Sequence, residues 1–461
     1  MKTKKIFNFL LLLGFLSGCD YLDIVPDNLP TLEMAFNNKS SAERFLFTCY
    51  SFVPEHGKIG TDPGMDVGDE VWYYSDNSAD YSNKTTFWIA KGMQNSNEPL
   101  VDYWNGTQWG KAMFVGIRDC NVFIENIEKV PDLSAYDKET WKAEAKVLKA
   151  FYHFWMMRMY GPIPIIKENI PVSAGEDEVR VVRDKIDDIV TYIVSLIDES
   201  VEYLPLNIQN EAAEMGRITR PAAKAIKAKI LAFAASPFFN GNLDYANFKN
   251  AEGEPFFNQV YDNEKWTKAA DACLEAIQCA EEAGHGLYEF VNMSSTQLSD
   301  ETILSLSNRC KVTERWNKEL VWGCGQSGIR DLQVLCQPWL ESNYSSDDRY
   351  HNARNGTFAP TLAVAETFYT KNGVPMDEDK NYDYSKRYTT QVATEADKYY
   401  IQPGYTTAKL HFDREPRFYA TLGFDGSSWY GIGKMDDNDM WYLQAKAKQA
   451  SGKRGNTLYS I

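Results

Sequence analysis

The chain has few of the residues that redox, metal or nucleophilic chemistry needs. It contains 8 cysteines and 5 histidines in 461 residues, with no C-x-x-C pair and no spacing typical of a zinc site. None of the histidines belongs to an H-E-x-x-H motif or lies near a G-x-S-x-G motif. We therefore predict no metal site, no cofactor and no catalytic residues, and we interpret the cysteines other than Cys19 as mostly buried thiols.

Positive charge and long apolar runs are also scarce. The chain carries 48 Lys and Arg against 64 Asp and Glu, a formal net charge of −16, and such an acidic surface argues against nucleic acid as a partner. Beyond the N-terminus, no stretch approaches the roughly 18 apolar residues of a membrane-spanning helix. Aromatic residues are abundant at 14%, which suits a protein that presents flat rings to a ligand.

Residues 1–18 are typical of a bacterial lipoprotein signal peptide. A basic start precedes the apolar core 6–15, which is too short to cross a bilayer. The motif LSGC at 16–19 then predicts cleavage before Cys19 and lipidation of its sulfur. Several acyl chains on one cysteine would anchor the protein durably, because each buried methylene contributes about 0.8 kcal/mol. The alternative is an ordinary secretory signal with a chance cysteine.

The rest of the chain divides into three parts. Residues 19–40 are predicted as an extended, lipidated leader, residues 41–283 as a helical region with a long aromatic loop insertion at 54–100, and residues 284–461 as a loop-rich mixed lobe. Helices are predicted at 41–50, 105–128, 140–160, 185–203, 220–236 and 264–283 from helical periodicity and terminal signals. Alanines on facing helices favour close helix pairs, as in a tetratricopeptide solenoid, although no clean 34-residue repeat can be aligned.

Two further motifs are weak. The run Gly323–Gly328 matches G-x-G-x-x-G and follows a predicted strand, Leu320–Trp322. It lies outside any βαβ series, so a glycine-rich loop is the better interpretation than a dinucleotide site. Asp377, Asp379, Asn381 and Asp383 alternate as in a calcium loop. Tyr382 and Tyr388 occupy the positions where an EF-hand needs Gly and Glu, so a looser calcium site is the alternative that stays open.

Several blocks in a shared order resemble the SusD/RagB family of outer-membrane nutrient-binding lipoproteins. They are CDYLD at 19–23, W-x4-F-x2-I-R-x2-N at 109–121, AEAKVLKAFYHFWMMRMYGPIPII at 143–166, GRITRPAAKAIKAKILAFAASPFFNGN at 216–242, EKWTKAADACLEAI at 264–277, PTLAVAETFYTKNGVP at 360–375 and REPRFYATLGFDG at 414–426. Any one block would be a weak match, but their order across nearly the whole chain makes the resemblance specific.

The resemblance implies a fold, a function and a place of work. The fold would be mainly α, with tetratricopeptide-like helix pairs supporting a loop-rich ligand-binding lobe. The protein would be a non-enzymatic lipoprotein, anchored by its lipid to the outer membrane and facing the cell exterior. It would capture a glycan and pass it to a SusC-like TonB-dependent transporter, closing over the transporter as a hinged lid.

The chain departs from the family pattern in two ways. Lys149 stands where the family usually has arginine, which is a mild change. The family also continues past the block at 414–426 with further helices, whereas this sequence stops at Ile461. We expect that the helical region lacks a covering partner if that part is absent.

Aromatic residues among polar neighbours mark the predicted ligand-binding site. These residues are Trp72, Tyr73, Tyr74, Trp88, Trp316, Trp339 and Tyr344. Flat rings cover the C–H faces of sugars while Asn, Asp and Arg bond their hydroxyls. The alternative is that the rings pin a long loop to the core. Two other functional interpretations remain. The protein could bind peptide or glycoprotein-derived cargo in the same uptake role, and a glycoside hydrolase is the more remote alternative.

Overall fold

Helices dominate the computed structural model, which describes residues 32–73, 85–292, 296–325, 329–340, 358–431 and 433–450. In chain order the helices are α1 Leu32–Ala35, α2 Lys39–Tyr50, α3 Pro63–Asp66, α4 Thr85–Ala90, α5 Met113–Asn126, α6 Ala135–Tyr160, α7 Glu176–Val179, α8 Ile186–Asp198, α9 Glu211–Glu214, α10 Arg220–Ala235, α11 Glu264–Glu282, α12 Asp300–Cys310, α13 Ile329–Cys336, α14 Leu362–Thr367 and α15 Pro416–Thr421. The predicted mainly α fold is confirmed.

Short strands form three antiparallel pairs. The strands are β1 Val71–Tyr73, β2 Phe358–Pro360, β3 Thr390–Val392, β4 Thr406–Ala408, β5 Ser428–Trp429 and β6 Trp441–Tyr442. They pair as β1 with β2, β3 with β4 and β5 with β6. The first pair matters for the candidate site, because it joins residues that are almost 300 positions apart and sets Trp72 opposite Ala359.

Helix α6 is the centre of the helical region. The Ser134 side chain accepts a hydrogen bond from the Asp137 amide at 3.0 Å and so caps its first turn. The helix ends at Gly161, whose φ of +69° is costly for any residue with a Cβ atom. Between these ends α6 packs on α2, α5 and α8. The predicted stop after residue 160 is confirmed, and the helix begins five residues earlier than predicted.

Helices α10 and α11 form the closest pair in the described chain. Thr219 caps α10 by accepting from the Ala222 amide at 3.4 Å, and Pro221 occupies its first turn, where a missing N–H costs nothing. Ala228 of α10 meets Ala272 and Ala276 of α11 in a small buried cluster. Side chains this short let the two helices approach closely, as the alanine pattern predicts.

Two local predictions are wrong. The helix predicted from residue 105 starts at Met113, because Gln108 and Trp109 adopt left-handed backbone conformations with φ of +49° and +70°. The strand predicted at Leu320–Trp322 is absent, and these residues form an irregular bend instead.

Buried side chains form two main hydrophobic clusters. The larger extends from Phe36 to Phe257 and includes Tyr152 and Phe154, both fully buried. The second lies in the later part of the chain, between Ala365 and Phe424. No helix among the described residues is both long and apolar enough to cross a bilayer.

Candidate functional site

A network around two buried aspartates positions the first candidate surface. Asp62 caps α3 by accepting from the Gly64 amide at 2.9 Å. The Asp66 carboxylate accepts from the Gly60 amide at 2.6 Å and from the Thr86 hydroxyl at 2.5 Å. Asp66 therefore ties the loop before α3 to the start of α4 and fixes the direction in which α4 presents its side chains.

The charge on Asp62 is maintained by its neighbours. Burial is the largest influence on this carboxyl and favours the neutral acid. Hydrogen bonding with His56 and with the amides of Gly57 and Gly64 outweighs burial and lowers the pKa of Asp62. The α3 cap therefore stays ionised at neutral pH, which keeps the loop beneath α4 in place.

Trp72, Phe87 and Trp88 form an aromatic surface, called the Trp72 face below. Phe87 packs in a small buried cluster with Phe358 of β2. The Trp72 ring lies 4.3 Å from the Phe87 ring, centroid to centroid, while Trp72 and Trp88 are 39% and 45% exposed. Two tryptophans thus reach solvent above a rigid base, an arrangement that suits stacking on a flat apolar ligand surface.

Charged groups flank this surface. Asp69 and Glu70 are exposed just before Trp72. The Lys91 ammonium lies 4.9 Å from the centre of the Phe87 ring and 5.5 Å from that of Trp88. The Trp72 face therefore combines ring faces with hydrogen-bond acceptors and a donor, which is the mixture that a polyhydroxylated ligand requires.

Trp316 lies in a separate cleft of about 440 Å³. The cleft is lined by residues 207–219, 283–285 and 316–323, none of which belongs to the Trp72 face. Gly323 leaves room for the indole, since a Cβ atom there would stand 2.8 Å from the Trp316 ring. On the other side, the Trp322 indole N–H donates to the Gly216 carbonyl at 2.9 Å and holds the cleft wall.

The remaining predicted residues have different environments. Trp339 is only 6% exposed, so its ring faces protein instead of solvent. Tyr73 lies in β1, opposite Phe358. Tyr74, Tyr344 and the predicted lipid-bearing Cys19 lie outside the described residues. The structure therefore leaves Trp72 and Trp88 exposed, with Trp72 packed on the residue that precedes Trp88, places Trp316 in a separate cleft, and buries Trp339.

Several residues of these surfaces were missed by sequence reasoning. Phe87 joins the two exposed tryptophans, and Asn207 and Glu211 line the Trp316 cleft with exposed side chains. Phe87 directly precedes Trp88, but nothing in the sequence links it to Trp72, which lies 15 positions earlier. Nothing in the sequence links Asn207 or Glu211 to a tryptophan about 100 positions later.

The acidic stretch at 377–383 is organised by internal bonds. The Asp379 carboxylate accepts from the Thr370 hydroxyl at 2.5 Å, the Asn372 amide at 2.9 Å and the Asn381 backbone at 2.8 Å. These bonds lower the pKa of Asp379. Across the described ranges, no group of three or more His, Cys, Asp and Glu side chains is arranged to hold a metal ion.

Two family models match parts of the chain. One family model, described as starch-binding associating with outer membrane, matches residues 20–231. A second, that of the SusD family, matches residues 330–461. No curated protein matches the chain.

Solved structures share the fold. The chain is similar to BT4246, with 28% identity over 90% of this chain and 69% of that one, and a TM-score of 0.72. It is also similar in fold to a SusD-like protein, BF3747, from Bacteroides fragilis, with 17% identity, 91% and 67% coverage and a TM-score of 0.59. Together with the two matched regions, these likenesses identify the chain as a member of the SusD/RagB family.

Proposed function

We propose that this protein is a cell-surface glycan-binding lipoprotein that captures oligo- or polysaccharide and delivers it to a TonB-dependent outer-membrane transporter. Membership of a family whose matching model is described as starch-binding supports glycan as the cargo class. The lipobox-like motif before Cys19 supports attachment by lipid. A SusC-like transporter is the partner that the family implies, and co-purification of the two proteins from outer membranes would test that pairing.

The observation that carries the proposal is the exposure of Trp72 and Trp88 above the buried Phe87. Exposed indoles that adjoin one buried ring form an apolar patch, and such patches, unlike single exposed side chains, mark binding surfaces. Their acidic neighbours, Asp69 and Glu70, can accept hydrogen bonds from sugar hydroxyls. We propose the Trp72 face as the primary glycan contact and the Trp316 cleft as a second one.

Substitution of the exposed tryptophans tests this placement. We expect Trp72→Ala or Trp88→Ala to weaken glycan binding by about tenfold, since that corresponds to roughly 1.4 kcal/mol of lost contact. The melting temperature should change little, because both side chains are already exposed. Isothermal titration calorimetry against a panel of neutral oligosaccharides measures the affinity, and Trp316→Ala measures the contribution of the cleft separately.

The chain offers a matched control. Trp266 on α11 is 43% exposed but belongs to neither candidate surface, so Trp266→Ala should leave glycan affinity unchanged. If Trp72→Ala and Trp88→Ala bind as tightly as the unaltered chain, the placement of the site is wrong. Binding of peptides in place of glycans would assign the other cargo class. Release of cleaved sugar after long incubation would establish a hydrolase.

A further inference from the structure

A third cavity, of about 360 Å³, lies between α6, α10 and the segment 319–324. Its walls are largely apolar and include Phe151 and Trp155 of α6 and Trp322 of the segment. The Phe151 and Trp322 rings meet edge to face at 5.4 Å, and those of Phe151 and Trp155 lie 6.1 Å apart. Three aromatic side chains therefore form a continuous wall, in a volume within the usual range for small-ligand pockets.

Two cations line this largely apolar cavity, together with His56 and Glu319. Arg158 extends from α6 and Lys229 from α10. The Arg158 guanidinium is half-buried and lies over the Trp155 ring at 5.2 Å and the Phe233 ring at 4.9 Å. Within the described part of the chain, neither cation forms an ion pair or a hydrogen bond. By contrast, Arg217 and Arg414 are more deeply buried and have several acceptors each.

Burial disfavours the charge of both cations, and Arg158 also disfavours the charge of Lys229. Burial lowers the pKa of Arg158. The pKa of Lys229 is lowered by burial first and then by the positive charge of Arg158, although its side chain remains exposed to solvent. Because Lys229 is exposed, water screens part of this repulsion. An anion placed on both groups would relieve this repulsion and would fill donor positions that are now empty.

The acidic side chains nearby are engaged elsewhere. Glu319 lines the cavity, but its carboxylate accepts from the Tyr288 amide at 2.9 Å and lies 3.7 Å from the Lys311 ammonium. The Asp62 carboxylate, which interacts with Arg158 at longer range, is held by the amides of Gly57 and Gly64. The cavity lining therefore holds two cations against one carboxylate, in a chain whose formal net charge is −16.

We propose that this cavity binds an organic carboxylate with a mostly apolar body, such as an aryl-substituted carboxylic acid. The carboxylate would bind Arg158 and Lys229, and the body would pack against Phe151, Trp155 and Trp322. A guanidinium presents paired N–H donors that match the two carboxylate oxygens. A neutral sugar fits less well, because it would leave the positive charges of Arg158 and Lys229 without a counter-ion. The cavity shares Val321 and Trp322 with the lining of the Trp316 cleft, but it includes neither Trp316 nor any residue of the Trp72 face.

Calorimetry with 3-phenylpropionate tests the proposal. The purified chain should bind 3-phenylpropionate at least tenfold more tightly than the matched neutral amide, 3-phenylpropionamide. Arg158→Gln and, independently, Lys229→Gln should each weaken binding of the carboxylate by about tenfold or more. Lys229 is exposed, so its substitution keeps the test valid if Arg158→Gln fails to fold. Lys224 lies on the same helix outside the cavity and pairs with Glu275 at 3.6 Å, so Lys224→Gln is the control and should bind normally.

Other probes define the outcomes that overturn the proposal. Equal affinity for 3-phenylpropionate and 3-phenylpropionamide would contradict the proposed carboxylate site. Unchanged affinity for 3-phenylpropionate in both Arg158→Gln and Lys229→Gln would contradict it as well. Tighter binding of glucuronate, inorganic phosphate or an acidic peptide than of 3-phenylpropionate would assign the cavity to another anion class. Trp72→Ala should leave 3-phenylpropionate binding intact. The carboxylate site and the proposed glycan surface can therefore be tested independently of each other.

Discussion

Two hydrogen bonds define the protonation state of the buried His153. It has no exposed surface. Its Nδ1 lies 2.8 Å from the Lys149 carbonyl and therefore donates, while Nε2 accepts from the Ile166 amide at 3.2 Å. Only the neutral imidazole satisfies both bonds. Burial, reinforced by the charge of Lys149, lowers the pKa of His153 to about 4.

We therefore expect acidification to destabilise the fold. The folded-state pKa lies below the ordinary value of 6.5, so the unfolded chain takes up the proton first and stability falls as the pH drops from about 6.5 towards 4. His153 alone should make the protein about 2 kcal/mol less stable at pH 5 than at pH 7. Urea unfolding at the two pH values measures the difference.

Variants assign this pH dependence to particular histidines. His153→Gln should reduce the loss of stability between pH 7 and pH 5. His411, whose pKa is lowered to about 3 by burial, should account for part of the remainder. His285 is only partly buried, and His285→Gln should keep the full dependence. A His153→Gln variant as acid-sensitive as the unaltered chain would contradict this account.

The candidate site was only partly predictable from individual residues. Trp72 and Trp88 stand among polar residues in the sequence, and the structure exposes both. Trp339 has a similar sequence environment but is buried. Exposure depends on which distant segment packs on a ring, and a local pattern carries no such information. The cation pair of Arg158 and Lys229 was unpredictable for the same reason, since it requires knowing that α6 faces α10.

At the scale of elements, helices were predictable wherever chemistry marks their ends. Helix α6 ends where Gly161 adopts a positive φ. Helix α10 begins with Thr219 as its N-terminal cap and Pro221 in its first turn. The start of α5 was mispredicted because hydrophobic spacing continues back to Trp109 without a cap signal. A left-handed turn at Gln108 and Trp109 interrupts the helix there, and neither residue type favours that conformation. The strands were harder to predict, because each is short and pairs with a remote partner.

A buried ion pair joins three elements that are distant in sequence. Arg217, just before α10, donates to both oxygens of Glu144 in α6 at 2.6 and 3.1 Å. The Tyr50 hydroxyl at the end of α2 donates to the same carboxylate at 2.5 Å and accepts from the Ile218 amide at 2.9 Å. Glu144, Arg217 and Tyr50 are each bonded to another member of this junction, so removing one of them leaves a buried group unsatisfied.

We expect Arg217→Met to destabilise the fold by about 3–5 kcal/mol, because it leaves Glu144 buried without its counter-ion. Adding Glu144→Gln should recover part of this loss, which urea unfolding of single and double variants would measure. Lys227 pairs with Asp198 at 2.6 Å on the surface, and Lys227→Met should cost at most about 1 kcal/mol. Similar losses for Arg217→Met and Lys227→Met would show that the buried pair contributes no more than a surface one.

At the scale of the whole molecule, two separate hydrophobic clusters stabilise two parts of the chain. The larger cluster is built on α2, α5, α6, α8 and α10 and contains Phe154. The second contains Phe418 of α15, which is also fully buried and contacts Phe368 and Phe424. Neither cluster includes a buried residue of the other. Each therefore has its own set of contacts to lose on unfolding, which favours more than one unfolding step.

Matched phenylalanine truncations can separate these steps. Phe154→Ala should lower the stability of the helical region by about 3–5 kcal/mol, and Phe418→Ala should do the same to the later region, because each leaves a cavity in one cluster only. Amide hydrogen exchange, measured separately for each peptide fragment, would locate the region that loses protection in each variant. Phe47 is 43% exposed, so Phe47→Ala should leave both regions protected. If both core variants lose protection equally across residues 36–257 and 365–424, the two clusters unfold as one cooperative unit.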